Sequence, residues 1–188
     1  MTEQITETES IWSKLFNELG ETNDRVTAIV GQAFLDECLR QLIAAFLIDS
    51  ETYINKLLNE KGGRPLGSFG ARVIAAYCLG LISEDEYHDL RRIQRIRNEL
   101  AHELDLSFTD QSIKDKCDKL KLPKKSSFFL FERHASKPRN QFTRAIILLG
   151  ILLEHRTSII EEQGHRAVPD EIELEPIITR LFDQAKEK

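Results

Sequence analysis

Apolar residues recur along this chain three and four positions apart, the spacing of helices, and almost nowhere alternate as they would in a strand. Ile11, Leu15, Phe16 and Leu19 predict a first helix over about 9–19, with Gly20 as its stop. A long helix is predicted from Asp24 to about Asp49. Its polar residues Gln32, Asp36 and Arg40 step by four along one face, with Glu37 and Gln41 beside them, and the rest is apolar. Such a helix sits centrally in a core and shows one narrow polar stripe. A shorter helix is predicted around Glu51–Asn59. The run Gly62-Gly63-Arg64-Pro65-Leu66-Gly67-Ser68-Phe69-Gly70 is a loop by composition, leading into a nearly apolar helix, Ala71–Leu81, ended by Gly80.

Ser83-Glu84-Asp85-Glu86 has the form of a capping box, in which serine and glutamate satisfy each other's backbone amides. The helix it starts is predicted to run to about Leu104. Thr109 or Asp110 can cap a short helix to about Leu120, ended by Pro123. Residues 121–139 are basic and contain Phe128, Phe129 and Phe131; they predict an irregular segment, with a short strand as the alternative. Asn140 to about Glu162 predicts another strong helix, stopped by Gly164. The expected fold is an all-α, single-domain bundle of six or seven helices spanning 1–188, with antiparallel neighbours. An acidic segment of about 1–8 and a tail of about 165–188 are expected to be peripheral.

Charge changes this picture by its distribution. The net charge is −5. Residues 1–60 carry 4 basic and 11 acidic side chains, residues 61–144 carry 17 and 11, and residues 145–188 carry 5 and 9. The middle is therefore basic between two acidic ends, a weak footprint for an anionic partner. Cys38, Cys78 and Cys117 read as reduced core thiols of a cytosolic protein, not as a disulfide framework or zinc site. The N-terminus is polar and acidic, unlike a signal or transit peptide. The longest apolar run, Val73 to Ile82, is far shorter than the ~20 residues of a membrane span. A cytoplasmic protein with no membrane contact is expected.

The most informative stretch is Arg91 to His102. Projected at about 100° per residue, Leu90, Ile93, Leu100 and Leu104 fall on one side of the helix. His88, Arg91, Arg92, Arg95, Asn98, Glu99 and His102 fall on the other. Arg91, Arg92 and Arg95, with Arg64 and Arg72 of the preceding loop and helix, form a candidate surface for an anion or a partner. Arg97 projects into the apolar side, where an unpaired charge is costly. It is expected to be buried and paired, with Asp36 or Glu37 as candidate partners. Arg97 and His102 point about 140° apart on an ideal helix, so they converge only if the helix ends near Ala101 or a second protomer contributes. The plainer account is that cations near a helix C-terminus complement its dipole.

Two resemblances emerge from these residues. Pro65-Leu66-Gly67-Ser68-Phe69-Gly70-Ala71-Arg72, then Tyr77 to Ser83 and Glu86-Tyr87, closely resemble the mannitol operon repressor (MltR/MtlR) family. The match continues from Arg97 to His102 and through Ser107-Phe108-Thr109-Asp110. It implies a transcriptional regulator. Arg97-Asn98-Glu99-Leu100-Ala101-His102 is also similar to the Arg-x4-6-His signature of HEPN domains. That second resemblance implies metal-independent RNA cleavage at a dimer interface, with His102 as acid or base, Arg97 stabilising phosphate charge and Asn98 orienting one of them.

Other chemistry is thinly represented. The glycine loop lacks the strand and the Gly-Lys-Ser/Thr ending of a P-loop, so turn chemistry explains it better. The five histidines show no metal spacing, and no nucleophile motif occurs. The basic, phenylalanine-bearing segment from Lys121 to Arg139 could stack single-stranded nucleic acid, but docking its phenylalanines onto the helices is the favoured use. No helix-turn-helix is found; the helix after Ser83 opens with Glu84-Asp85-Glu86, which would repel DNA phosphates.

These readings favour a regulator that works through a protein partner, forms a homodimer, uses no cofactor or metal, and is not an enzyme. Direct DNA binding is disfavoured. A HEPN-type ribonuclease or RNA-binding module, and a non-catalytic interaction scaffold, are the alternatives.

Overall fold

The computed structural model describes Leu15, Leu19 and residues 23–59, 63–103, 105–125 and 137–164. Seven helices are bounded within them: α1 (Asp24–Phe46), α2 (Glu51–Leu58), α3 (Phe69–Cys78), α4 (Glu84–His102), α5 (Gln111–Cys117), α6 (Leu122–Lys125) and α7 (Pro138–Gln163). No strand occurs among the described residues. The all-α expectation therefore holds. Leu15 and Leu19 are helical and buried, as their spacing predicts. Ile11, Phe16, Phe128, Phe129, Phe131, Leu104 and the tail lie outside the described residues, and so do the readings that rest on them.

The helix boundaries follow local chemistry. Asn23 accepts the amide of Val26 at 2.9 Å and starts α1. Gly80, with φ +73°, ends α3: its amide bonds the carbonyl of Tyr77, and that of Leu81 bonds Ala76. This is a Schellman closure, which needs a left-handed residue where glycine stands. The box at Ser83 forms in both directions. Pro138 occupies the first turn of α7, where its missing N–H costs nothing. α1 ends at Phe46, three residues before the predicted Asp49.

α1 and α7 make the largest interface and run parallel. Arg139 reaches Thr27 at 3.0 Å near their starts, and farther along Ile146 lies against Gly31, 3.1 Å from where a Cβ would stand. That glycine lets the two longest helices approach. α4 is antiparallel to both. At one end Arg25 bonds the Leu100 and Glu103 carbonyls at 2.9 and 3.0 Å; at the other Arg156 of α7 grips Glu86 through two bonds of 3.0 and 2.8 Å. α3 lies antiparallel on α4, with Gly70 against Arg91 and Tyr77 stacked on Tyr87 at 5.0 Å. The core centres on Leu35, Leu39, Leu42, Leu90, Ile93, Ile96, Leu100, Phe142 and Ile146, all fully buried. Short connections predicted antiparallel neighbours; α1 and α7 depart from this because five helices separate them in the chain.

Candidate functional site

α4 is the axis of the site. Its first turn is Glu84, Asp85 and Glu86, its last carries His102, and Arg25 satisfies carbonyls that the helix end leaves open. The helix continues through His102 with Glu103 as its cap, so it does not end at Ala101. Arg97 and His102 accordingly stay on different faces within one protomer. Asn98 and His102 are both exposed.

The arginines separate into distinct environments. Arg95 is exposed. Arg91 is half-buried over the start of α3 and donates to the Gln94 side-chain oxygen at 2.8 Å. Arg92 donates to Asp89 at 3.2 Å. Arg64, in the loop before α3, is exposed.

Arg97 does not pair with Asp36 or Glu37. It is half-buried, donates to the Asn98 side-chain oxygen at 3.2 Å, and its Nε is buried without a hydrogen-bond partner. The expected carboxylates are engaged elsewhere. Glu37 takes Arg40 at 2.6 and 2.8 Å and Gln41 at 3.0 Å; the Arg40 hydrogen bond is the main reason its carboxyl is held below the usual range. Asp36 receives Arg72, which also donates to the Leu58 carbonyl at 2.8 Å.

Arg72 is 1% exposed and is the guanidinium that α1 buries. Its place in the candidate anion surface is corrected accordingly: its charge joins α1, the end of α2 and α3 from inside. The physical reason is its register. Arg72 lies three residues after Phe69 and four before Ala76, both buried on the inner face of α3. The projection that placed Arg97, applied to α3, would have found it.

The model of the mannitol repressor family, MtlR, matches residues 6–161. This chain belongs to that family. Of the solved structures, MtlR in the MtlR–HPr complex from Escherichia coli is similar to this chain with a TM-score of 0.60 and 21% identity, over 77% of this chain and 98% of that one. YggD from Shigella flexneri, solved as a possible transcriptional regulator, is similar with a TM-score of 0.57 and 13% identity, over 76% and 94%. At these identities the likeness to the solved structures is one of fold. No curated protein matches the chain.

In this mannitol repressor family member, the loop that carried the resemblance packs onto the arginine helix. Ser68 caps α3 by accepting the Ala71 amide at 3.3 Å, and a Cβ at Gly70 would stand 3.0 Å from Arg91 Nη1 and 3.2 Å from Gln94 Nε2. Asp89, which the sequence reading left out, and Asp85, read there only as part of an acidic helix start, organise the opposite flank. Asp89, fully buried, accepts the amides of Lys121 and Leu122 at 2.9 Å and so anchors α6, a helix absent from the prediction. Asp85 receives Lys121 Nζ at 2.5 Å and also pairs with Lys125. The start of the basic segment is thus fastened to the acidic start of α4.

The hydrogen bond from Lys121, then that from Lys125, lowers the Asp85 carboxyl to about 2. A carboxyl depressed in the folded state adds stability that is complete above its ordinary value near 4 and disappears as pH falls towards 2. We expect a carboxyl NMR titration of Asp85 to show a midpoint near 2, and the double substitution Lys121→Ala/Lys125→Ala to return it to the ordinary range. An unmoved midpoint would remove the lysines as its cause.

Burial raises the Cys38 thiol and pushes Cys117 up to about 12. Cys78, expected in the core, is exposed at the end of α3. Among the described residues no group of three or more His, Cys, Asp or Glu side chains is placed to hold a metal ion, and no helix is long and apolar enough to cross a membrane.

Proposed function

We propose that this transcriptional regulator acts by binding HPr, or a protein like it, and not by reading operator DNA with a helix of its own. The observation that carries the reading is the shared fold with MtlR, whose solved structure is a complex with HPr and is covered over 98% of its length. The α4 helix supports it from the other side. Its first turn carries Glu84, Asp85 and Glu86, an acidic start that disfavours contact with a phosphate backbone. A cytoplasmic place of action follows from this reading. In gel-shift assays the purified chain alone is expected to leave operator DNA unshifted. A salt-sensitive, sequence-specific shift by the chain alone would overturn the indirect mode.

A second reading rests on the Arg97–Asn98 hydrogen bond, which gives Asn98 the orienting role that the HEPN resemblance implies. Because α4 stays helical through His102, such a site would draw its histidine and arginine from two protomers of a homodimer. Metal-free RNA cleavage that disappears in His102→Ala would support it; inert wild-type protein would end it.

A further inference from the structure

The outer side of α7 stays apolar where a surface helix ordinarily turns polar residues to water. Ile151 and Ile159 are 43% and 39% exposed, and half-buried Leu152 lies beside them, with exposed His155 at the middle of the strip. At about 100° per residue these four project from one side of the helix, and the buried core residues Ile146, Leu149 and Leu153 from the other. α7 therefore carries a second apolar strip that the core does not use. From Ile151 to Ile159 it is about 12 Å long, at a rise of about 1.5 Å per residue.

The sequence beyond α7 contains a counterpart. Gly164, with φ +81°, caps α7 in a backbone conformation that leaves the helix. After residues 165–175, Pro176 suits a first helical turn, and Ile177, Ile178, Leu181, Phe182 and Ala185 follow at helical spacing. Thr179, Arg180, Asp183, Gln184 and Lys186 project from the opposite side. Glu173 and Glu175 before the segment and Lys186 at its far end complement a helix dipole. Ile177 and Ala185 are separated by the same number of residues as Ile151 and Ile159, so the two apolar strips match in length.

These eleven residues lie beyond the family match, which ends at residue 161, and outside the described residues. A helix so short is marginal alone in water and draws its stability from packing its apolar face. The connection over 165–175 can span roughly 36 Å when extended. Packed helices lie about 8–10 Å apart, so it reaches back along α7 with chain to spare. Such a tether also holds the segment at an effective concentration in the millimolar range, which favours its own α7 over that of a second copy.

We propose that residues 176–186 form an amphipathic helix that folds back antiparallel on α7 of the same chain and covers the strip from Ile151 to Ile159. Ile177 and Ile178 meet the strip near Ile159, while Leu181 and Phe182 reach towards Leu152 and Ile151. The segment is then an intramolecular cover, and any protein that takes this side of α7 must displace it.

Methyl NMR of the full chain, labelled at its isoleucine δ1 positions, tests the arrangement. Nuclear Overhauser contacts from the Phe182 ring to the Ile151 or Ile159 methyl are expected, and they should be unchanged on dilution. Leu181→Asp should abolish them and shift both methyls, because it places a charge in the contact without altering the described helices. The methyl of Ile74, exposed on α3, should keep its wild-type shift and so report that the body remains folded. No contact from the segment to either methyl, or contacts that survive Leu181→Asp, would overturn the docking. Contacts that fade on dilution would assign the strip to a second copy and overturn the arrangement within one chain.

Discussion

Replacing Arg72 by alanine is expected to destabilise the folded chain by about 3 kcal/mol, the loss typical of breaking one side of a buried ion pair. The residue is 1% exposed, and its guanidinium joins the Asp36 carboxylate of α1 to the Leu58 carbonyl at the end of α2. Without it, the carbonyl loses its donor and Asp36 is left partly buried beside apolar α3. Arg72→Lys should recover little, because an ammonium cannot span two acceptors held apart by the fork of a guanidinium. Arg97→Met offers the contrast. Arg97 bonds only the Asn98 amide and makes no ion pair among the described residues, so the change is expected to move stability by less than about 1 kcal/mol. Denaturant unfolding of the three variants measures this ordering directly. If Arg97→Met proved the more damaging, the assignment of the buried cation would be wrong.

The second large effect is expected at Asp89. Its carboxylate is fully buried, accepts the Lys121 and Leu122 amides and faces Arg92, so Asp89→Ala removes the anchor of α6. A charge-assisted acceptor of this kind is worth about 2–3 kcal/mol, and water can replace part of it at the half-buried Lys121 and Leu122. Hydrogen exchange should therefore accelerate first at those two amides while the α1–α7 interface keeps its protection. Asp89→Asn, which retains one acceptor oxygen, should fall between. Equal protection at Lys121 and Leu122 in Asp89→Ala and the wild type would contradict the anchoring role.

Periodicity made most of the helices legible. The polar stripe of α1, the box at Ser83 and the glycine ends of α3 and α7 could all be placed from local chemistry, because each depends on residues within one or two turns. α6 could not: its Leu122–Lys125 turn is anchored by Asp89, 32 and 33 residues earlier. The same limit explains the site. Projection correctly turned Leu90, Ile93 and Leu100 inward and Arg95, Asn98 and His102 outward. It also turned Arg97 inward, but could not say which arginine the carboxylate of Asp36 would choose.

That choice depended on how α3 lies against α1, a tertiary fact. Even so, Asp89 lies four and seven residues before Ile93 and Ile96, and Arg72 four before Ala76. Both signals of a buried charge were present in the spacing. The family motif at Pro65–Arg72 was recognisable as a resemblance before its physical use was known. In the structure it caps α3, brings Gly70 under Arg91 and delivers Arg72 to Asp36.

Partner-mediated regulation is the central claim, and isothermal titration of purified HPr into this chain at low and physiological salt tests it most directly. A saturable heat with one stoichiometry, weakening as salt rises, is the predicted result. No heat at either salt concentration, with both proteins shown to be folded, would contradict it.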